Sequence, residues 1–454
     1  MKKTQDFTEG KILSPLIRFA LPVLLALFLQ AMYGAVDLLV VGQFSDAVNV
    51  SAVSTGSQIM HTVIMVITGL AMGITILIGQ KIGEKQPKQA GQIVGAGICL
   101  FLLVAIILTV VMVCGSGIIS KWMQAPAEAF SETTAYVKIC SAGIVFIIAY
   151  NVLGSIFRGI GDSKMPLITV TIACIFNIAG DLFFVAALHL GASGAALATV
   201  LAQAVSVLLS LLIIRKRDLP FQITKSDIRF QWSYIGNIIK LGSPIALQDL
   251  LVSISFLVIM AIVNSMGVVY SAGVGVAEKL CAFIMLVPSS YTQSMSAFVA
   301  QNIGARKPKR ARKALLCGIA TSFLAGLVMA YLAFFHGDLL ASIFARDPEI
   351  ILQAADYLKA YAIDTLLTCF FFCFIGYFNG NGKTFFVMFQ GIFSAFLIRI
   401  PVAFLMSRTE DATLFKIGLA TPCSSAVQIV LCLLYFFYLL RLEKNNRLFS
   451  EPQD

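Results

Sequence analysis

The stretch Gln80-Lys-Ile-Gly83-Glu-Lys-Gln-Pro87-Lys88-Gln-Ala90 decides the fold, because it returns as Gln301-Asn-Ile-Gly304-Ala-Arg-Lys-Pro308-Lys309-Arg-Ala311. From Gln80 to Gln301 the shift is 221 positions, and the same shift carries Arg158-Gly159-Ile-Gly161 onto Asn379-Gly380-Asn-Gly382. One displacement for two separate landmarks means a duplicated unit of about half the chain. In so apolar a sequence, an internal repeat points to a membrane transporter with its pathway between two halves.

Composition excludes a soluble domain. The chain has 454 residues, 59% of them hydrophobic and 12% charged, with a mean hydropathy of +0.90. Apolar runs long enough to span a hydrocarbon core predict helices over 16–41, 49–79, 91–117, 133–157, 166–188, 192–214, 237–263, 269–300, 312–336, 351–378, 384–405 and 413–440. The expected fold is therefore an all-α membrane protein of twelve transmembrane helices in two six-helix bundles. An even number of spans per copy sets both copies in the membrane from the same side, as parallel repeats. The expected domains are an N-terminal lobe (1–214), a cytoplasmic linker (215–236) and a C-terminal lobe with a cytoplasmic tail (237–454).

Basic residues alternate between loops. Lys2, Lys3, Lys11 and Arg18 sit before or at the start of the first span, and Lys81, Lys85 and Lys88 after the second. Arg215, Lys216, Arg217, Lys225 and Arg229 mark the linker, and Arg306, Lys307, Lys309, Arg310, Arg312 and Lys313 the second copy of the repeated loop. Arg441, Lys444 and Arg447 follow the last span, whereas the alternate loops hold chiefly Lys121, Arg346, Arg408 and Lys416. The positive-inside rule then places both termini in the cytoplasm of a cell that carries the protein in its plasma membrane. The same asymmetry accounts for the net charge of +10 without nucleic-acid binding. Residues 1–15 read as a polar amphipathic lead-in, and the first span is too long for a cleaved signal.

The ten cysteines are scattered and form neither a disulfide framework nor a zinc spacing. Cys369 and Cys373 share a helix face, which reads as small-residue packing. His61, His189 and His336 do not cluster, so no metal site is indicated by them. No Gly-x-x-x-x-Gly-Lys-Ser/Thr stretch supports nucleotide-driven transport, and the chain is not expected to be an enzyme or to hold a cofactor.

Acids inside a bilayer cost at least a few kcal/mol and call for a reason. Asp37 stands near the outer end of the first span, and Asn177 and Asp181 share one face of the fifth. Asp37 is expected roughly 6 Å from its helix end, and Asp181 and Thr199 roughly 10 Å from theirs, at 1.5 Å per residue. Carboxylate, amide and hydroxyl oxygens in one layer can replace the water around a sodium ion. Alternatively, two neighbouring carboxylates can share a proton. If the groups only glued helices together, two acids with two matched partners would be excessive.

These residues carry a family resemblance. The chain resembles the multidrug and toxic compound extrusion (MATE) transporters over essentially its whole length, through its twelve spans, Pro22 in Ala20-Leu21-Pro22, Asp37, the Asn177/Asp181 pair, Thr199 and the Arg158–Asp162 loop. The resemblance implies a cation site at Asp37, Asn177, Asp181 and Thr199, and antiport of organic, mainly cationic, compounds against inward Na+ or H+ by alternating access. Pro22 would disturb its helix and mark where it rearranges.

The second copy departs from the first. The 221-residue shift carries Asp37 onto Val258 and Asp181 onto Val402. That half has Asp249, Glu278, Lys279, Asp364 and Arg399 instead; Glu278 and Lys279 are expected to neutralise each other. Asp249 and Asp364 join Gln30, Tyr33, Tyr150, Asn151, Gln248 and Tyr291 as candidate substrate contacts, in a chain with 35 Phe and 15 Met suited to lipophilic ligands. The expected partners are such ligands and membrane lipids, with the chain a monomer. A flippase for lipid-linked precursors is the alternative, and it calls for a more basic cavity. A major-facilitator carrier calls for an Asp and several bases after span two, a pattern missing from Gln80–Pro87.

Overall fold

The computed structural model describes residues 6–216, 219–221 and 224–448, and leaves the side chains of residues 225 and 446–448 undescribed. Lys2, Lys3, Arg217, part of the 215–236 linker and the end of the tail, together with the side chains of Lys225 and Arg447, lie outside that description.

Helices follow one another with no strand among the described residues. They are α1 (Leu13–Phe44), α2 (Ala47–Gly83), α3 (Pro87–Trp122), α4 (Phe130–Ala142), α5 (Ile144–Gly159), α6 (Lys164–Asp181) and α7 (Gly191–Arg215). The second half gives α8 (Trp232–Asn264), α9 (Val268–Ile284), α10 (Leu286–Gly304), α11 (Pro308–Phe335), the short α12 (Gly337–Ala341), α13 (Pro348–Gly380), α14 (Thr384–Ser394), α15 (Ile400–Ser407), α16 (Leu414–Gly418) and α17 (Ala420–Leu448). Among the described residues 11 helical spans are long and apolar enough to cross a membrane, and the pair α4 and α5 makes 12. That pair was expected as one straight span; it bends by 54° around Gly143, whose missing side chain leaves room for Val200. On α3, Leu102, Ile106 and Val110 are exposed at four-residue spacing, an apolar stripe that only lipid solvates well.

The chain groups into two compact units. Unit 1 is Met1–Leu250 with Gln293–Ala314 and Tyr377–Phe385, and unit 2 is Leu251–Thr292 with Leu315–Gly376 and Phe386–Asp454. In unit 1 a buried cluster from α2, α3 and α5 includes Ile74, Ile78, Ile93 and Phe157. In unit 2 another gathers Val263, Val274, Tyr357 and Leu358.

Both copies of the opening motif lie in unit 1, and they grip each other. A Cβ on Gly83 would stand 1.9 Å from the Gln301 carbonyl oxygen, and one on Gly304 would stand 2.0 Å from that of Gln80. The two helix ends therefore cross backbone against backbone. The glutamines complete the exchange: Gln301 Nε2 donates to the Gly159 carbonyl at 3.0 Å, and Gln80 Nε2 to that of Gly380 at 3.4 Å. Each helix ends alike, with a left-handed residue at Lys85 (φ 57°) and Arg306 (φ 56°). Each neighbour begins on a proline, Pro87 or Pro308, where the missing N–H costs nothing.

The lead-in is also tied down. Phe7 is fully buried, its ring edge-on to Phe19 at 5.2 Å and stacked on Phe298 at 4.9 Å. Arg310 donates to the carbonyls of Phe7, Glu9, Gly10 and Lys11. The polar reading of residues 1–15 passed over this one aromatic anchor.

Gly83→Ala and Gly304→Ala each force the crossing apart. Thermal unfolding of the purified protein in detergent is expected to show a loss of about 1–3 kcal/mol, the cost of overpacking. Gly236→Ala on α8, with open space around the added methyl, is expected to leave stability unchanged or raise it.

Candidate functional site

The four residues expected to bind a cation come together in unit 1. Asp37 lies on α1, Asn177 and Asp181 on α6, and Thr199 on α7. Helix α1 runs to Phe44, three residues beyond expectation. Asp37 is therefore roughly 10 Å from its helix end at 1.5 Å per residue, close to the depth of Asp181 and Thr199, with Asn177 one turn deeper.

Close packing of α6 on α7 sets the geometry. A Cβ on Gly180 would lie 2.9 Å from that of Ala198, and one on Gly194 would lie 3.1 Å from the Phe184 backbone. Gly191, at φ +54°, starts α7 where any side chain would strike Asn49. The Asn49 Oδ1 accepts from the Ala192 N–H at 2.7 Å. Asn49 in turn donates to Asp46, the cap of α2, at 2.9 and 2.8 Å. Those bonds hold the exposed Asp46 carboxyl below the usual carboxylate range. After Asp181 the helix widens into a π-turn, Leu182–Ala187, a distortion common at functional positions.

Thr199 bridges the site, accepting from Asn177 Nδ2 at 3.4 Å and donating to Asp37 Oδ2 at 3.3 Å. The Asp37 and Asp181 carboxyls are neighbours. Asp37, Asn177 and Asp181 are almost wholly buried, yet Asp37 Oδ1, Asn177 Oδ1 and both Asp181 oxygens have no hydrogen-bond donor. Four buried acceptors without a donor are costly unless a proton or a cation sits among them. The donor set is all oxygen, as hard cations prefer. Among the described residues no group of three or more His, Cys, Asp or Glu could hold a metal ion, so any cation here depends on Asn177 and Thr199 as well.

The candidate substrate contacts scatter. Gln30, Tyr150 and Asn151 meet in one cavity of unit 1, of about 60 Å³, with Thr68, Arg158 and Gln293. Tyr33 is one turn before Asp37, and Gln248 and Asp249 close the unit 1 part of α8. Tyr291 and Asp364 belong to unit 2. In sequence Arg158 reads only as part of a Gly-rich loop; the structure places it in the last turn of α5, and an arginine four residues after a glycine at a span end was the available signal. Pro22 lies inside α1, which remains helical through it; Pro244 does the same in α8.

In unit 2, Asp364 Oδ1 accepts from Ser425 at 2.5 Å. The buried Arg399 donates to Ser255 at 3.2 Å and lies 4.4 Å over the Phe256 ring. The expected Glu278–Lys279 neutralisation is not seen. Lys279 turns to the Phe344 ring at 5.9 Å, because adjacent helical residues do not face each other. Cys369 and Cys373 are free thiols, and Cys369 packs where Gly326 leaves space.

Comparison with known proteins follows the same repeat. The MatE family model matches the chain twice, over residues 22–183 and 244–405. The starts of the two matches pair Pro22 with Pro244, a shift of 222. In that register Asp37 and Asp181 fall on Ile259 and Ala403 rather than Val258 and Val402, apolar in either case. The probable multidrug resistance protein YpnP of Bacillus subtilis is 27% identical, over 99% of this chain and 100% of its own length. The multidrug export protein MepA of Staphylococcus haemolyticus is 23% identical, over 88% of each. An outward-facing multidrug resistance transporter of the MATE family superposes with a TM-score of 0.91, at 21% identity, over 98% of this chain and 100% of that one. At that identity the likeness is one of fold.

Asp181→Asn supplies a donor where four acceptors crowd. The variant is expected to melt at a higher temperature than the wild type in sodium-free detergent buffer at neutral pH, since one hydrogen bond to a charged group contributes about 1.5–3 kcal/mol. A lower melting temperature would contradict the acceptor-rich geometry.

Proposed function

Starting from the MatE family of membrane transporters, to which this chain belongs, we propose that it is a secondary active exporter of organic, mainly cationic, compounds. It works by antiport against inward Na+ or H+. The observation that carries this reading is the set of four buried acceptor oxygens on Asp37, Asn177 and Asp181 without a donor. Two neighbouring carboxylates repel each other unless a cation or proton lies between them, so the filled and empty sites favour different helix arrangements. Inward movement of one positive charge is favoured by roughly 2.3 kcal/mol per 100 mV, which drives the cycle.

In this reading the cation enters from outside, the residues of α1, α6 and α7 close on it, and α1 rearranges about Pro22. The moving bodies are the N-terminal lobe (1–214) and the C-terminal lobe (237–454), joined by the 215–236 linker, with both termini cytoplasmic in the plasma membrane. The names of the relatives, multidrug resistance and multidrug export proteins, support a broad small-molecule range. Aromatic and Met-rich spans suit such ligands.

Dye efflux from reconstituted vesicles, with sodium and proton gradients imposed separately, tests the mechanism. Wild type is expected to respond to one gradient, and Asp37→Asn or Asp181→Asn to abolish that response. Gradient-driven efflux at the wild-type rate in both variants would sink the assignment.

A further inference from the structure

We infer that the cavity on α1, α2, α5 and α6 of unit 1 is an anion-accepting subsite, in which Arg158 receives the carboxylate of an amphoteric lipophilic compound. It rests on the exporter reading only for its transport measurement.

A guanidinium within a membrane-spanning segment is expensive, and such residues pair with an opposite charge or serve a pathway. Among the described residues no carboxylate lies within ion-pair distance of Arg158. It lies in the last turn of α5, where a cation could simply complement the free helix carbonyls. It does not lie that way. The side chain turns back along its own helix, Nη2 donating to Ser155 Oγ at 2.8 Å. The Nη1 atom lies only 3.2 Å from where a Cβ on Gly154 would be. The guanidinium thus lies along Gly154, with Ser155 holding its Nη2. Its Nε is buried and has no hydrogen-bond acceptor.

The rest of the cavity fits an acceptor-rich group. Its lining includes Gln30, Thr68, Tyr150, Asn151 and Gln293, and no acid. Asn151 is already committed, donating to the Ile147 carbonyl at 2.8 Å and accepting from Thr68 at 3.2 Å. Arg158 is therefore the strong donor on offer, and a planar fork is the natural partner of a carboxylate. A volume of about 60 Å³ holds several waters at roughly 10–15 Å³ of such space each, room for a carboxylate but well short of the roughly 300–1,000 Å³ of a drug-sized pocket. The apolar remainder of the ligand must lie outside it. The cavity thus reads one end of a molecule, and its charge is opposite to that of the Asp37/Asp181 site.

A matched pair of probes tests this: a rhodamine with a free benzoate, and the same dye as its methyl ester. In vesicles the readout is the ratio of free-acid to ester export. That ratio is expected to fall about tenfold in Arg158→Gln, the loss of one charge-assisted hydrogen bond. It should fall less in Arg158→Lys, which keeps the charge but not the planar fork. In parallel, melting of the purified protein in detergent is expected to rise with the free acid more than with the ester, and this difference to vanish in Arg158→Gln. If wild type binds the acid in this way but exports neither dye, the subsite stands and the exporter reading fails. An unchanged ratio in Arg158→Gln, or equal stabilisation of wild type by acid and ester, overturns the subsite. Should Arg158→Gln fail to fold, the difference in stabilisation of wild type by acid and ester decides.

Discussion

Two helix ends pressed together without side chains between them are the constraint on which much of unit 1 depends. Gly83 and Gly304 each face a carbonyl oxygen at a separation no Cβ could occupy. Removing both side chains lets the backbones meet, and the exchanged glutamines then lock the pair to Gly159 and Gly380. The loops that follow must turn at once, which Lys85 and Arg306 do in a conformation that non-glycine residues adopt reluctantly. A short motif therefore fixes where four helices end and where α3 and α11 begin.

The same duplication left the buried chemistry free to diverge. In the first copy, Asn177 and two acids present oxygens that want an exchangeable cation or proton. In the second, the nearest buried charge is Arg399, already seated against Ser255 and Phe256. The second copy thus meets its buried charge with partners of its own, whereas the first leaves acceptor oxygens without a donor.

Hydrophobic run length was enough to expect twelve spans, and repetition was enough to pair them. Asp37, Asn177, Asp181 and Thr199 stood out because acids and amides are conspicuous in apolar helices. Other features had no such contrast. The α4–α5 bend at Gly143 comes from an approach by Val200, far away in sequence. The π-turn after Asp181 leaves no mark in residue type. Phe7 reads as one aromatic in a polar segment until Phe19 and Phe298 enclose it. Arg158 was visible, but not the direction its side chain takes along Gly154 to Ser155. Glu278 and Lys279 show the opposite error, since neighbours in sequence point to different sides of a helix.

The helix crossing also bears on how such a chain could arise. Glutamine of one copy meets glycine of the other, and the reverse contact is made by the same residue types in the same order. A contact of this kind is isologous: one surface patch carries both the donor and its acceptor. A half-length chain bearing Gln-x-Ile-Gly and the glycine loop would hold everything needed to bind its own twin. With an even number of spans, the twins would insert in the same orientation, and fusing their genes would preserve the contact. The contact inside this single chain thus has the symmetry of a dimer interface.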